Sequence, residues 1–172
     1  MSKFPVSRNK ELVKSLQLVA GRGQVEMPNG RAIAEALQVG DAVGEVAITI
    51  TEAMVEAYAA AVGDFNPLFM EKDASGRRVA HPELLPKFAM DGLWLPMFER
   101  MPNTRATQSY TYLESVRTGL TYRATGCVAG KHEKRGRLFV VFEATFKDER
   151  GEEVLRDRRT QLVLTEAVTL RD

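Results

Sequence analysis

Past residue 103 every remaining segment of this chain alternates. Gln108 to Val116 interleaves tyrosines with polar residues, and Leu120 to Ala129 places Leu120, Tyr122, Ala124, Gly126 and Val128 at every second position. Leu138 to Phe146 is dense in Val and Phe, and Val154 to Leu164 completes the set. Period-two alternation is the mark of strands that bury one face. The connections Arg117-Thr118-Gly119, Gly130 to Gly136 and Asp148-Glu149-Arg150-Gly151 are short and rich in turn formers, which suits antiparallel hairpins. A run of hairpin-linked strands makes an antiparallel sheet whose apolar face has to be covered.

The cover is supplied just upstream. Leu84, Leu85, Phe88, Ala89, Leu93, Met97 and Phe98 recur at helical intervals, the most apolar helical pattern in the chain. Pro82 and Pro86 lie near its start, where a missing N–H costs little, whereas Pro96 is expected to kink or end it. Trp94 is expected in the core or at a dimer contact. Earlier, Val46, Ile48 and Ile50 alternate with Ala47 and Thr49 as a strand, and Thr51 with Glu52 opens a helix whose apolar side is Met54, Ala57, Tyr58 and Ala61. Gly63 suits a left-handed stop, and Pro67 pushes Asn66 out of the helical region. Residues Met70 to Arg78 read as an exposed charged loop. The order strand, helix, loop, long helix, four strands predicts an α+β protein with the hot-dog fold, an antiparallel sheet wrapped around a long central helix. A single such layer leaves sheet edges and one sheet face to be covered, which predicts a homodimer or a heterodimer with a homologous partner.

The remaining N-terminal part holds a helical pattern from about Asn9 to Ala20 (Leu12, Val13, Leu16, Val19), stopped by Gly21-Arg22-Gly23, and a further turn or two from Arg31 to Gln38. Residues 1–38 are therefore read as an N-terminal helical appendage and 39–172 as the hot-dog domain. Lys and Arg number 24 against 23 acids, and the basic residues are dispersed, which argues against nucleic acid as a partner. The single cysteine, Cys127, allows no intrachain disulfide, and no Cys/His pair stands at metal spacing, so no metal is expected and a cytoplasmic setting fits. No window reaches the roughly 18 apolar residues of a membrane span.

One stretch carries candidate chemistry: Gly63-Asp64-Phe65-Asn66-Pro67-Leu68-Phe69, with Val79-Ala80-His81-Pro82 after it. Taken alone it is a helix stop followed by an Asx-type turn. As a sequence it resembles the MaoC-like family of (R)-specific enoyl-thioester hydratases and 3-hydroxyacyl-thioester dehydratases, over roughly residues 39–165. The later run Lys131-His132-Glu133-Lys134-Arg135-Gly136-Arg137, with the strand after it and Gly151-Glu152, looks most like the degenerate N-terminal halves and partner subunits of that family. The resemblance implies a hot-dog fold, dimers, CoA or acyl-carrier-protein thioesters as ligands, and no cofactor.

Hydrating an enoyl thioester takes a base for the water, an acid for the neighbouring carbon and a donor for the thioester oxygen. The family pattern, Gly-Asp-x-Asn-Pro-x-His, supplies the first two from its Asp and His, and a backbone N–H after Ala-His supplies the third. Here Asp64 and Asn66 match, Phe69 stands in the histidine position, and Pro82 removes the N–H. Asp64, Asn66 and His81 are thus the candidate catalytic residues, His81 either as a substitute base or in a structural, capping role. Lys131, Lys134 and Arg135 are either a solvated hairpin turn or a landing patch for CoA phosphates or an acidic carrier protein. Cys127 reads as an inert strand residue, and Arg156-Asp157-Arg158-Arg159 as the exposed side of the last strand. The expected function is an acyl-thioester hydratase or dehydratase with weakened or lost catalysis, or one acting with a catalytic partner subunit. The alternatives are a hot-dog thioesterase using Glu83, Asp91 or Glu99, and a non-catalytic thioester-binding module.

Overall fold

The computed structural model describes residues 29–164; the helix expected from Asn9 to Ala20 lies outside them. Asn29 caps α1 (Gly30–Ala36), its side chain accepting from the N–H groups of Arg31 and Ala32. There follow β1 (Ala42–Thr49), α2 (Glu52–Val62) and the short α3 (Pro67–Met70). The central helix α4 is built from Leu84–Ala89, a π-helical turn Met90–Trp94, and Leu95–Arg100. Then come β2 (Asn103–Tyr112), β3 (Thr121–Lys134), β4 (Arg137–Lys147) and β5 (Glu153–Val163). The strands form one antiparallel sheet in the order β1-β3-β4-β5-β2.

Alternation places Tyr122, Ala124 and Val128 of β3 and Val140, Phe142, Ala144 and Phe146 of β4 on the covered face, all buried. Against them α4 sets Leu84, Leu85, Ala89, Leu93, Trp94 and Met97. The rings of Trp94, Phe98 and Phe142 pack mutually with centroids 5.9–6.1 Å apart. The helix crosses β1 at glycines: a Cβ on Gly44 would lie 2.7 Å from the carbonyl oxygen of Leu93, and one on Gly92 would lie 2.8 Å from the Val46 side chain. Pro96 does not end α4. It sits at the start of the last segment, directly after the wide turn, where its missing N–H is absorbed.

The structure differs from the sequence reading at several boundaries. β2 begins at Asn103 and stops at Tyr112, and the N–H groups of Leu113 and Glu114 both go to the Val154 carbonyl as the chain turns away. β3 runs on to Lys134, and the hairpin to β4 is the two-residue turn Arg135-Gly136, with φ of 53° and 72°, as a type I′ turn requires. α1 shares the main core, with Ala34 fully buried.

The outer sheet face needs no cover. It carries Arg123 paired with Glu45, Arg158 with Glu143 and Arg156 with Glu153. The large exposed apolar side chains are elsewhere: Val39 ahead of β1, Val62 at the end of α2, Phe65 and Leu68 by α3, Phe88 and Leu95 on α4, and Tyr112 and Leu113 at the end of edge strand β2. Among the described residues no helix is long and apolar enough to cross a membrane.

Candidate functional site

The Asp64 loop is set by the two helices it joins. Thr51 caps α2, its Oγ1 accepting from Met54 N at 3.2 Å, and Gly63 ends α2 at φ 72°. Asp64 Oδ1 then accepts from Asn66 N at 3.1 Å, and Asn66 Oδ1 accepts from Leu68 N at 3.0 Å, capping α3 with Pro67 in its first turn. The backbone N–H of Asn66 thereby holds the Asp64 carboxylate, and its side-chain oxygen is spent on the loop itself.

His81 arrives from the other side. Ala80 N donates to the Val116 carbonyl at 2.8 Å, and Val79 bridges to Arg117, which fixes the segment against the β2–β3 connection. The imidazole lies between two rings, Tyr58 at 4.9 Å and Phe69 at 5.2 Å between centroids. Its Nε2 is 3.8 Å from Asp64 Oδ2, and the two side chains are 27% and 39% exposed. That separation exceeds a direct hydrogen bond and suits a bridging water. Glu83 N donates to His81 Nδ1 at 3.2 Å. A ring nitrogen that accepts from a backbone N–H cannot carry the proton, so neutral His81 holds it on Nε2, facing Asp64.

Two clefts flank this pair. Phe69 lines the first, about 370 Å³, with Leu68, Val79, Pro82 and Leu113. Tyr58 lines the second, about 480 Å³, with Glu83, Met90, Arg105, Tyr110 and Arg159. His81 packs at a tilt against both aromatics, 40° from Tyr58 and 53° from Phe69, and so sits behind one lining residue of each cleft.

The charged cluster of β5 is split by the sheet. Arg156 and Arg158 point outward, but Asp157 and Arg159 face α4 at 0% and 2% exposure, with Gln161 beside them. This corrects the expectation that the whole cluster is solvent-facing, and the parity of Leu155 and Val163 carried the signal. Asp157 Oδ2 is 2.6 Å from both Nε and Nη2 of Arg159, and Gln108 Nε2 donates to Oδ1 at 3.2 Å. The Arg159 guanidinium lies 5.0 Å over the Trp94 ring. Burial pushes the Asp157 carboxyl above its ordinary value, with Arg159 and Gln108 pulling against it. Burial and the nearby Asp157 carboxylate push the Tyr110 hydroxyl up to about 12.

The basic run is not brought to Asp64 and His81. Lys131 Nζ is engaged with the carbonyls ending α1, those of Ala34 at 3.2 Å, Glu35 at 2.9 Å and Leu37. Lys134 and Arg135 are exposed at the hairpin tip. That tip is the far end of 14-residue β3 from the β2–β3 connection, a strand spanning on the order of 40 Å. Of the helix carboxylates, Glu83 and Asp91 line the 480 Å³ cleft.

No protein-family description matches this sequence, and no characterised protein matches it at sequence level. Solved structures do match by shape. A MaoC-like dehydratase from Rhodospirillum rubrum aligns over 78% of this chain and 97% of its own, at 20% identity and a TM-score of 0.60. An (R)-hydratase from A. caviae involved in PHA biosynthesis aligns over 74% and 97%, at 21% identity and 0.60. A truncated HadBC complex, a 3R-hydroxyacyl-ACP dehydratase from Mycobacterium tuberculosis, aligns over 69% and 90%, at 19% identity and 0.60. The chain has the hot-dog fold of the MaoC-like hydratases and dehydratases.

Proposed function

We propose that this chain is a MaoC-like protein that binds acyl thioesters of CoA or of a carrier protein. By itself it holds an incomplete hydratase/dehydratase set, so it turns over slowly or works with a homologous catalytic subunit. The observation that carries this reading is the Asp64–His81 pair. It is held at a left-handed helix stop between two clefts, and Phe69 fills the position of the family histidine.

The hydrogen bonds support a division of what roles remain. While Glu83 N binds Nδ1, the neutral His81 ring presents only an N–H at Nε2: it can donate a hydrogen bond there but offers no lone pair to water and has no proton to give up, so it is not a substitute base. Asp64 is then the base of the pair. Pro82, in the wall of the 370 Å³ cleft, has no N–H to hold a thioester oxygen. A missing acid-base group costs about 10² to 10⁴ in rate and a missing oxyanion donor about 10² to 10³. Either is enough to leave a poor enzyme.

Two observations support a partner. The similar solved structures include a two-chain dehydratase complex. In this chain the exposed Leu68, Tyr112 and Leu113 line one cleft at the end of edge strand β2, where a second hot-dog protomer would shield both strand edge and apolar surface.

The test is to purify the protein alone and follow hydration of short and medium enoyl-CoAs, with binding read from Trp94 fluorescence. Slow or absent turnover with clear binding is expected. Robust turnover that vanishes in Asp64→Ala would overturn the incomplete-site reading. The thioesterase alternative rests on Glu83 and Asp91 in the 480 Å³ cleft. Release of free CoA from saturated acyl-CoAs, lost with either carboxylate, would favour it.

A further inference from the structure

The face of the sheet under α4 is apolar on β3 and β4 but polar along β5 and β2. In register across these two strands stand Gln161 with Arg105, Arg159 with Gln108, and Asp157 with Tyr110. An ion pair buried like Asp157–Arg159 adds little stability, because apolar side chains of similar volume in its place are often neutral or better. The strip calls for another explanation, and the second cleft offers one.

Arg159 lines that cleft although its side chain is 3% exposed. One edge of its guanidinium is held by Asp157. On the other, Nη1 has for a partner the thioether of Met90 at 3.1 Å, a weak acceptor. The cleft wall also carries Lys87 and Arg105 among exposed residues, so three cations line it against the two carboxylates Glu83 and Asp91. Tyr58 packs at a tilt against His81 and lines this same cleft. A chain leaving the Asp64–His81 pair past Tyr58 therefore runs toward Arg159.

We propose that this cleft takes the far end of the acyl chain of a thioester, that this end is a carboxylate, and that Arg159 is the residue that recognises it. The inference rests on the thioester reading above. A carboxylate would supply Nη1 with the oxygen acceptor it lacks, in the planar geometry an arginine favours. A terminal methyl would leave that edge of a buried cation against hydrocarbon. Asp157 is the positioning residue that holds the guanidinium in place from behind.

Two CoA thioesters of equal chain length, glutaryl-CoA and pentanoyl-CoA, decide the matter by calorimetric titration. Glutaryl-CoA should bind the unaltered protein about tenfold or more tighter, as a charge-assisted hydrogen bond predicts. In the double variant Asp157→Leu/Arg159→Met, which removes both charges together and leaves none stranded, the preference should disappear, because glutaryl-CoA loses its charged partner and pentanoyl-CoA no longer faces a buried cation. Equal binding of both thioesters to the unaltered protein, a preference for pentanoyl-CoA, or a preference unchanged in a folded double variant would each overturn this inference and leave the thioester reading intact. No binding of either thioester would overturn both. The unaltered protein's ratio needs no variant and decides the case even where the double variant does not fold.

Discussion

Replacing Phe69 by histidine should raise hydratase activity, and by an amount the structure bounds. The Phe69 ring lines the 370 Å³ cleft and lies 5.2 Å from the His81 ring, so an imidazole there enters the cleft next to the Asp64–His81 pair. Unlike His81, it has no backbone N–H fixing its tautomer and can offer a lone pair to water. A positioned base contributes about 10² to 10⁴ in rate. Pro82 still withholds an N–H from the thioester oxygen, worth about 10² to 10³, so Phe69→His should stay below a full hydratase by that margin. Phe69 is half-buried, and exchanging its ring for a polar one costs about 1–2 kcal/mol. For a chain of this size that lowers Tm by about 2–8 °C. The assay is loss of enoyl absorbance with a short enoyl-CoA, compared among the parent, Phe69→His and Asp64→Ala/Phe69→His. Gain in the first variant and its loss in the second is the expected pattern. A Phe69→His protein that folds, binds thioester and turns over no faster would refute the placing of the reacting carbon in that cleft.

Gly44→Ala should destabilise by about 1–3 kcal/mol in chemical denaturation, since its Cβ would press on the Leu93 carbonyl and helix backbone cannot yield as a side chain end can. Lys131→Met should leave the sheet intact but speed amide hydrogen exchange in α1, whose last carbonyls lose their ammonium partner. Ser75 and the Arg117 guanidinium hold the Asp73 carboxyl well below the usual carboxylate range. Its contribution to stability is then present above the unfolded value near pH 4 and lost as pH falls toward the folded one. Asp73→Asn should accordingly flatten the decline in stability from about pH 4 to pH 2, measured by thermal melts.

The parts of the fold that were legible in the sequence were those where local and tertiary demands coincide. Thr51 and Gly63 bracket α2 as expected, because a cap and a left-handed stop depend on only a few neighbouring residues. The four late strands showed through alternation, but their ends did not. β3 extends through Lys131 to Lys134 because β4 pairs with it residue by residue, a partner no local pattern announces. Arg156 to Arg159 looked like one exposed cluster because charge was weighed above parity. Asp64 and Asn66 were recognisable from their turn, while the role of His81 hung on the Glu83 N–H, a bond invisible in composition or spacing.

The π-helical turn in α4 acts as a phase adjuster. It spends one residue more than an α-helical turn, and each residue of helix advances a side chain by about 100°. Leu84, Leu85 and Ala89 before it and Met97 after it can therefore all meet the sheet although they do not fall on one continuous stripe. Winding the same residues as ideal α-helix would wheel Met97 and Phe98 off the core by an angle on the order of that step, whereas deleting one residue from Met90–Trp94 would straighten the turn and leave them in phase. A further residue inserted there would advance the downstream side chains by another such step, so an insertion tolerated in the loops on either side would be expected to fail in this turn.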